Sequence, residues 1–405
     1  MIPFSPPKIY QEIIDEVIDS LKSGWITTGP KTKKFEQKLS IYNGNPNTLC
    51  LNSATAGLEL VLRWFGVGVG DEVILPAYTY CATANVIIHC GAKPVFVDVN
   101  SDDFNISVSE IEKAITEKTK VIMPVDFGGF PCDYNAINKL VVKTEILKKF
   151  KPSNENQAKL ARILILSDAA HSLGAKANGK MTGALTDITV FSFHAVKNLT
   201  TAEGGAIAFN LPKPFDNQVE YNYFNTFSLH GQNKDALAKT QIGNWRYDVI
   251  MPGYKANMPD VLAAIGLVEL ERYDKETLKR RIEIIEAYNQ AFEQYEWGQI
   301  PTYKKDGRES CYHLYPLRIK KITEKQRDAI IQEIFAKDVS VNVHFQPVPM
   351  LSYYKNIGYK VENYPIAFDN YAREISLPLY FSLSDENVKT VINAVISSVE
   401  KITRL

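Results

Sequence analysis

Ile9, Ile13, Ile14, Val17, Ile18 and Leu21 recur three and four residues apart, the spacing of one helix face, and Gly24 stands where a C-terminal cap belongs. Beyond this helix, short apolar runs alternate with helical stretches. Residues 48–51, 72–75, 94–97, 121–124, 163–166 and 188–193 read as strands, and 56–65, 81–90 and 107–115 as helices. Apolar strands separated by helices predict a mostly parallel sheet covered on both faces. Such sheets bind ligands beyond the carboxyl ends of their strands.

Two stretches break the pattern. Lys143–Leu160 is polar, without periodicity from Lys151 to Ala158, and reads as a surface insertion before a core strand. Leu211–Tyr247 is irregular and rich in Asn and aromatics. Its length predicts a functional or interface loop. Past Glu271 the pattern changes to a helix over 275–295, a strand over 312–319, a helix over 324–336, a strand over 339–345 and a last helix over 386–403. This predicts a smaller α+β unit. A chain of 405 residues is long for one core, so two domains are expected.

Composition narrows the classes of function. Lys+Arg and Asp+Glu both number 46, so the formal charge is zero, which argues against nucleic acid or an anionic membrane as the main partner. The five cysteines, Cys50, Cys81, Cys90, Cys132 and Cys311, are widely spaced with no C-x-x-C. That speaks against a metal site or a disulfide framework and suits a reducing cytosol. The first residues lack the basic and apolar regions of a secretory signal, and no apolar run is long enough for a membrane helix. A cytoplasmic protein is expected.

Three pieces carry candidate chemistry. Asn52-Ser53-Ala54-Thr55-Ala56-Gly57 follows a strand and opens a helix, where free amides and the helix dipole favour an anion; Ser and Thr there also serve as plain caps. Asp168 directly follows the run Ile163–Leu166 and Ser167, at a strand's carboxyl end, where it could equally cap a turn. Ser192-Phe193-His194-Ala195-Val196-Lys197-Asn198 places a lysine after another strand, followed by Gly204-Gly205, which permits close backbone approach. An anion-binding helix start, a carboxylate and a lysine at one sheet edge match the needs of pyridoxal phosphate. Its phosphate takes amides and hydroxyls, its ring nitrogen an anionic carboxylate, and its aldehyde a lysine amine.

In this order the motifs resemble the DegT/DnrJ/EryC1/StrS family of pyridoxal-phosphate-dependent sugar aminotransferases, from Ser23-Gly24-Trp25-Ile26-Thr27-Thr28-Gly29-Pro30 to Ser376-Leu377-Pro378-Leu379. The resemblance implies an α/β fold of type I, and with the change of pattern past Glu271 a large cofactor-binding domain is expected over residues 1–270 and a small C-terminal α+β domain over 271–405. It implies a homodimer with shared active sites. Lys197 matches the lysine that holds the cofactor, Asp168 the partner of the ring nitrogen and Tyr80 the aromatic stacked on the ring. Ala54, Thr55 and Ser192 match phosphate contacts, and Asn257 matches a residue reaching the phosphate from the other subunit. His171 stands where many members have Gln, and His344 matches a histidine near the sugar. His313 reads as structural.

The segments at His171, Ser192–Asn198 and Pro252–Asn257 are similar to members that aminate C4 of a nucleotide-linked keto sugar with L-glutamate, as in surface polysaccharide or lipopolysaccharide sugar synthesis. A 3-keto acceptor is the alternative. The insertion at 143–160 and the 211–247 stretch depart from those members, which leaves the particular sugar open. Two rival readings are a sugar dehydratase on the same scaffold, in which histidine replaces the lysine, and a regulatory homologue without catalysis. Lys197 and an intact cofactor set speak against both.

Overall fold

In a computed structural model, residues 1–234 and 246–403 are described. The central sheet is built from β1 (Asn47–Leu51), β2 (Glu72–Pro76), β3 (Lys93–Val97), β4 (Thr119–Ile122), β5 (Leu164–Asp168), β6 (Ile188–Ser192) and β7 (Gly205–Phe209), in the spatial order β1-β7-β6-β5-β4-β2-β3. β2 to β6 run parallel, whereas β7 is antiparallel to both neighbours and joins β1 to the sheet. Every residue of β2, β5 and β7 is buried. Burial on both faces explains why these strands read as continuous apolar runs without alternation.

β7 was not expected from the sequence. Its run Gly205-Ala206-Ile207-Ala208-Phe209 is short, and three of its five residues are small; pairing on both sides outweighs that weak propensity.

Helices α1 (Gln11–Ser23), α2 (Pro30–Asn43), α3 (Ala54–Trp64) and α4 (Cys81–His89) flank this sheet or lead into it. The predicted end of α1 is correct: Gly24 takes φ 78° and its amide closes onto the Leu21 carbonyl. The apolar stripe of α1 is largely uncovered, however. Ile13 is buried, but Ile14, Ile18 and Leu21 are 42%, 39% and 56% exposed. Periodicity reveals an apolar face, and says nothing of what covers it.

The polar stretch 143–160 is ordered as two short helices, Thr144–Lys149 and Glu155–Leu160. Its polar side chains have backbone work. Asn154 and Gln157 donate to the Phe65 carbonyl at 3.0 and 2.8 Å, and Asn156 donates to that of Trp64 at 3.0 Å. The insertion thereby satisfies carbonyls left open at the end of α3. Within the stretch read as irregular after Leu211, Asn217–Phe227 is a helix, and residues 235–245 lie outside the described residues.

Helix Asp260–Arg272 continues through a π turn (Tyr273–Leu278) into helix Lys279–Phe292. One helical rod therefore spans residue 270 and links the sheet core to a second core around Ile284, Tyr288, Leu317, Ile330 and Val395. The small sheet there consists of β8 (Gly298–Gln299), β9 (Pro316–Ile319) and β10 (Glu374–Ser376), with β9 central. The strand expected over 312–319 shortens to β9, because Tyr312 takes φ 57° and the His313 and Leu314 amides turn aside to the Gly128 carbonyl. The strand expected over 339–345 does not form. Only isolated bridges occur, Val339 to Ile2 and Asn342 to Ser376, because this extended segment has no continuous partner on either side.

Candidate active site

The chain's chemistry gathers where the strands of the large sheet end. Ala54 opens α3 just beyond β1, Tyr80 caps α4 beyond β2, Asp168 ends β5 and Ser192 ends β6. Together with Thr55, His171, Lys197 and His344 these residues line one cavity of about 360 Å³. Parallel strands leave this edge open because their helical connections begin there.

One end of the cavity is the start of α3. Ser53 caps it, its hydroxyl accepting from the Ala56 amide at 3.1 Å. The Ala54 and Thr55 amides have no hydrogen-bond partner among the described residues. A first turn with free amides binds an anion, a phosphate above all. Gly205 makes the approach possible: a Cβ there would stand 2.4 Å from the Ala54 amide nitrogen.

Deeper in lies Asp168, 5% exposed. Its Oδ2 accepts from the Thr83 hydroxyl at 2.7 Å and its Oδ1 from the Ala170 amide at 3.2 Å. Thr83 spends its single proton on Asp168, so the 2.8 Å contact between Thr79 and Thr83 is donated by Thr79. Burial pushes the Asp168 carboxyl up, opposed by these donors and by the Lys197 charge. Such a carboxylate gains most from a cationic partner in the cavity.

Lys197 follows β6 in a turn closed by its own amide on the His194 carbonyl. It is the one lysine lining the cavity among the described residues. Burial lowers its amine to about 8, against the pull of Asp168. A far larger share of it than of an ordinary lysine is therefore neutral and nucleophilic near physiological pH.

His171 receives the Gly128 amide on Nδ1 at 3.3 Å. Its ring stacks on Phe345 at 5.7 Å and meets His313 at 4.4 Å. Burial holds His171 and His313 well below their ordinary range and His344 at about 4, so all three imidazoles are neutral. Tyr80 is 60% exposed and lies 5.8 Å from Phe345, leaving ring surface available to a flat ligand.

Asn257 is the exception. It does not line the cavity but bridges to Leu51, and its amide donates to Thr28 Oγ1 at 2.6 Å. His313, read as structural, is buried and also lines the cavity, its Nδ1 2.9 Å from Asn198 Oδ1. Sequence reasoning missed Thr83, Phe4 and Phe345. Thr83 lies one turn beyond Tyr80 on α4 and could have been found from that spacing. Phe4 and Phe345 arrive from distant segments and left no local signal.

Free amides, a buried carboxylate in need of a cation and a lysine with a lowered amine, together at one cavity, fit pyridoxal phosphate. The DegT/DnrJ/EryC1/StrS aminotransferase family profile matches residues 7–148 and 153–396. The chain is 39% identical to the spore coat polysaccharide biosynthesis protein SpsC of Bacillus subtilis, over 97% of this chain and 96% of that protein. It is 34% identical to the UDP-4-amino-4-deoxy-L-arabinose–oxoglutarate aminotransferase of Shewanella sediminis, over 97% of each. Among solved structures, a Streptococcus pneumoniae protein described as a sugar aminotransferase superposes in its PMP form with a TM-score of 0.95, at 47% identity, covering 99% of this chain and 100% of that one. Its PLP form superposes at 0.94. The fold and site thus define a pyridoxal-phosphate-dependent sugar aminotransferase. The chain belongs to the DegT/DnrJ/EryC1/StrS aminotransferase family.

Proposed function

We propose that the enzyme moves an amino group from L-glutamate to C4 of a nucleotide-linked 4-keto sugar in the cytoplasm. The observation that carries this reading is the cavity wall. Besides Lys197 and Asp168 it carries three neutral imidazoles, His171, His313 and His344, with Phe4, Tyr80 and Phe345 among its lining. Neutral imidazoles exchange hydrogen bonds with the hydroxyl and keto oxygens of a sugar. The 34% identical relative, named for a 4-amino sugar and oxoglutarate, supports C4 and the glutamate couple.

Pyridoxal phosphate, when bound, supplies an electron sink and carries the nitrogen between donor and acceptor. The Ala54 and Thr55 amides and the Ser192 hydroxyl would hold its phosphate, Tyr80 and His171 would flank its ring, and Asp168 would keep a proton on the ring nitrogen. Lys197 would hold the cofactor, and its free Nζ would take the proton from the donor's α-carbon and return one to the sugar carbon. Glutamate should bleach the visible absorbance of the loaded enzyme, and a nucleotide-linked 4-keto sugar should restore it. Bleaching that only amino-acid keto acids reverse would refute the sugar reading.

The lowered Lys197 amine makes loading pH-dependent. At pH 7 an amine titrating near 8 is about one-tenth neutral, against about one in 3,000 for an ordinary lysine. The rate of covalent cofactor uptake by apoenzyme should rise with pH through about 8 and then level off. Stopped-flow absorbance reads this directly; a rise continuing to pH 10 would contradict it.

We further propose a homodimer with shared sites. The exposed apolar face of α1 adjoins a loop carrying Ile26, 57% exposed, and Thr28, to which Asn257 is bonded. A second copy on this patch would bring Asn257 to the partner's phosphate site. Sedimentation should give twice the chain mass. Ile18→Glu with Leu21→Glu should yield monomers that bind cofactor at least about tenfold more weakly. A fully active monomer would exclude shared sites.

A further inference from the structure

His344 ends a chain of hydrogen bonds that the amino-transfer chemistry itself does not use. The chain starts at Glu374, which lies wholly out of solvent at the start of β10. Glu374 Oε2 accepts from the His344 backbone amide at 3.0 Å, and Oε1 accepts from the Ser376 hydroxyl. Burial pushes this carboxyl up to about 8, against the pull of Ser376, the His344 amide and the Arg327 and Arg318 guanidinia.

Above about pH 8, with Glu374 ionised, both of its oxygens meet donors, and the one proton of Ser376 is committed to it. The 2.9 Å contact between Ser376 Oγ and His344 Nδ1 must then be donated by the imidazole. A neutral ring protonated at Nδ1 carries a lone pair at Nε2.

The ring is held in that setting. Phe4 stacks on it at 5.5 Å and 26°, Phe345 meets it edge-on at 5.0 Å, and the Tyr78 hydroxyl is bonded to the His344 carbonyl. His171 has the opposite polarity. The Gly128 amide donates to its Nδ1, so its proton is on Nε2. The cavity thus has one imidazole that donates and another that accepts.

We propose that Glu374 and Ser376 are positioning residues that fix His344 as a hydrogen-bond acceptor for a hydroxyl of the sugar, an inference that rests on the keto-sugar acceptor proposed above. The reaction would then depend on a sugar that offers a donor at that wall, which neither the lysine nor the cofactor requires.

The test uses cofactor-loaded enzyme with 15N-histidine at pH 9, where the carboxyl is ionised. The chain has 6 histidines, and His344→Gln identifies the signal. Two-bond 15N–1H spectra should show His344 protonated at Nδ1, and Ser376→Ala should shift it toward Nε2. At the same pH, Ser376→Ala and Glu374→Gln should lower kcat/KM for a UDP-linked 4-keto sugar about tenfold, the scale of one hydrogen bond. Bleaching by glutamate should stay within about twofold of the parent, because that half-reaction does not involve the sugar. Ser376→Thr keeps the hydroxyl and should restore the parent tautomer and rate. An Nε2-protonated His344 in the parent overturns the proposal, as does equal loss in both half-reactions. If the parent consumes no keto sugar, the acceptor reading fails, while the spectra still decide the tautomer.

Discussion

Lys197→Ala is expected to lower transamination on the order of ten-thousand-fold while leaving the fold intact. The amine sits at the cavity wall after β6 and takes part in no core cluster, so its removal costs little packing. What is lost is both the covalent hold on the cofactor and the group that moves the proton, and acid–base catalysis alone accounts for up to about 10⁴. Borohydride reduction of the parent followed by peptide mapping should place the cofactor on Lys197. A label on another lysine, with Lys197→Ala still active, would remove the assignment.

Asp168→Asn is expected to slow turnover by about 10²- to 10³-fold with cofactor still bound, at least in part. The substitution is nearly isosteric, and an amide oxygen can still accept from Thr83 or from the Ala170 amide. It cannot supply the negative charge that keeps a ring nitrogen protonated, so the electron sink weakens and each proton transfer slows. The cost falls on kcat for both half-reactions. The comparison is single-turnover bleaching by glutamate in parent and variant. Equal rates would refute the role.

How legible the site was depended on how local its signals were. Asp168, Lys197 and the Ser53–Thr55 cap each sit just past an apolar strand, so the rule that ligands lie beyond strand ends located all three. Phe4, Phe345 and the Glu374–Ser376 pair enter the same region from the N-terminus and from the small sheet, and no spacing in the sequence links them to it. β7 and α2 went unread for a different reason. Gly205–Phe209 is short and rich in small residues, while Pro30–Asn43 buries Thr32, Glu36 and Asn43 along with Phe35 and Leu39, which blurs its apolar stripe.

The division at 270/271 came from a change of pattern, yet the backbone crosses it in one helical rod from Asp260 to Phe292. The apolar stripe of α1 was legible as a helix face, but its covering was not, because a partner leaves the same periodicity as a core.

Amination at C4 of a nucleotide-linked sugar is read out by the structure of the product. Enzyme, L-glutamate and pyridoxal phosphate would be incubated separately with UDP-, dTDP- and GDP-linked 4-keto and 3-keto sugars, and the products examined by mass and by NMR. A 4-amino nucleotide sugar with one equivalent of 2-oxoglutarate is the expected outcome. A 3-amino product alone, or amination only of amino-acid keto acids, would contradict it.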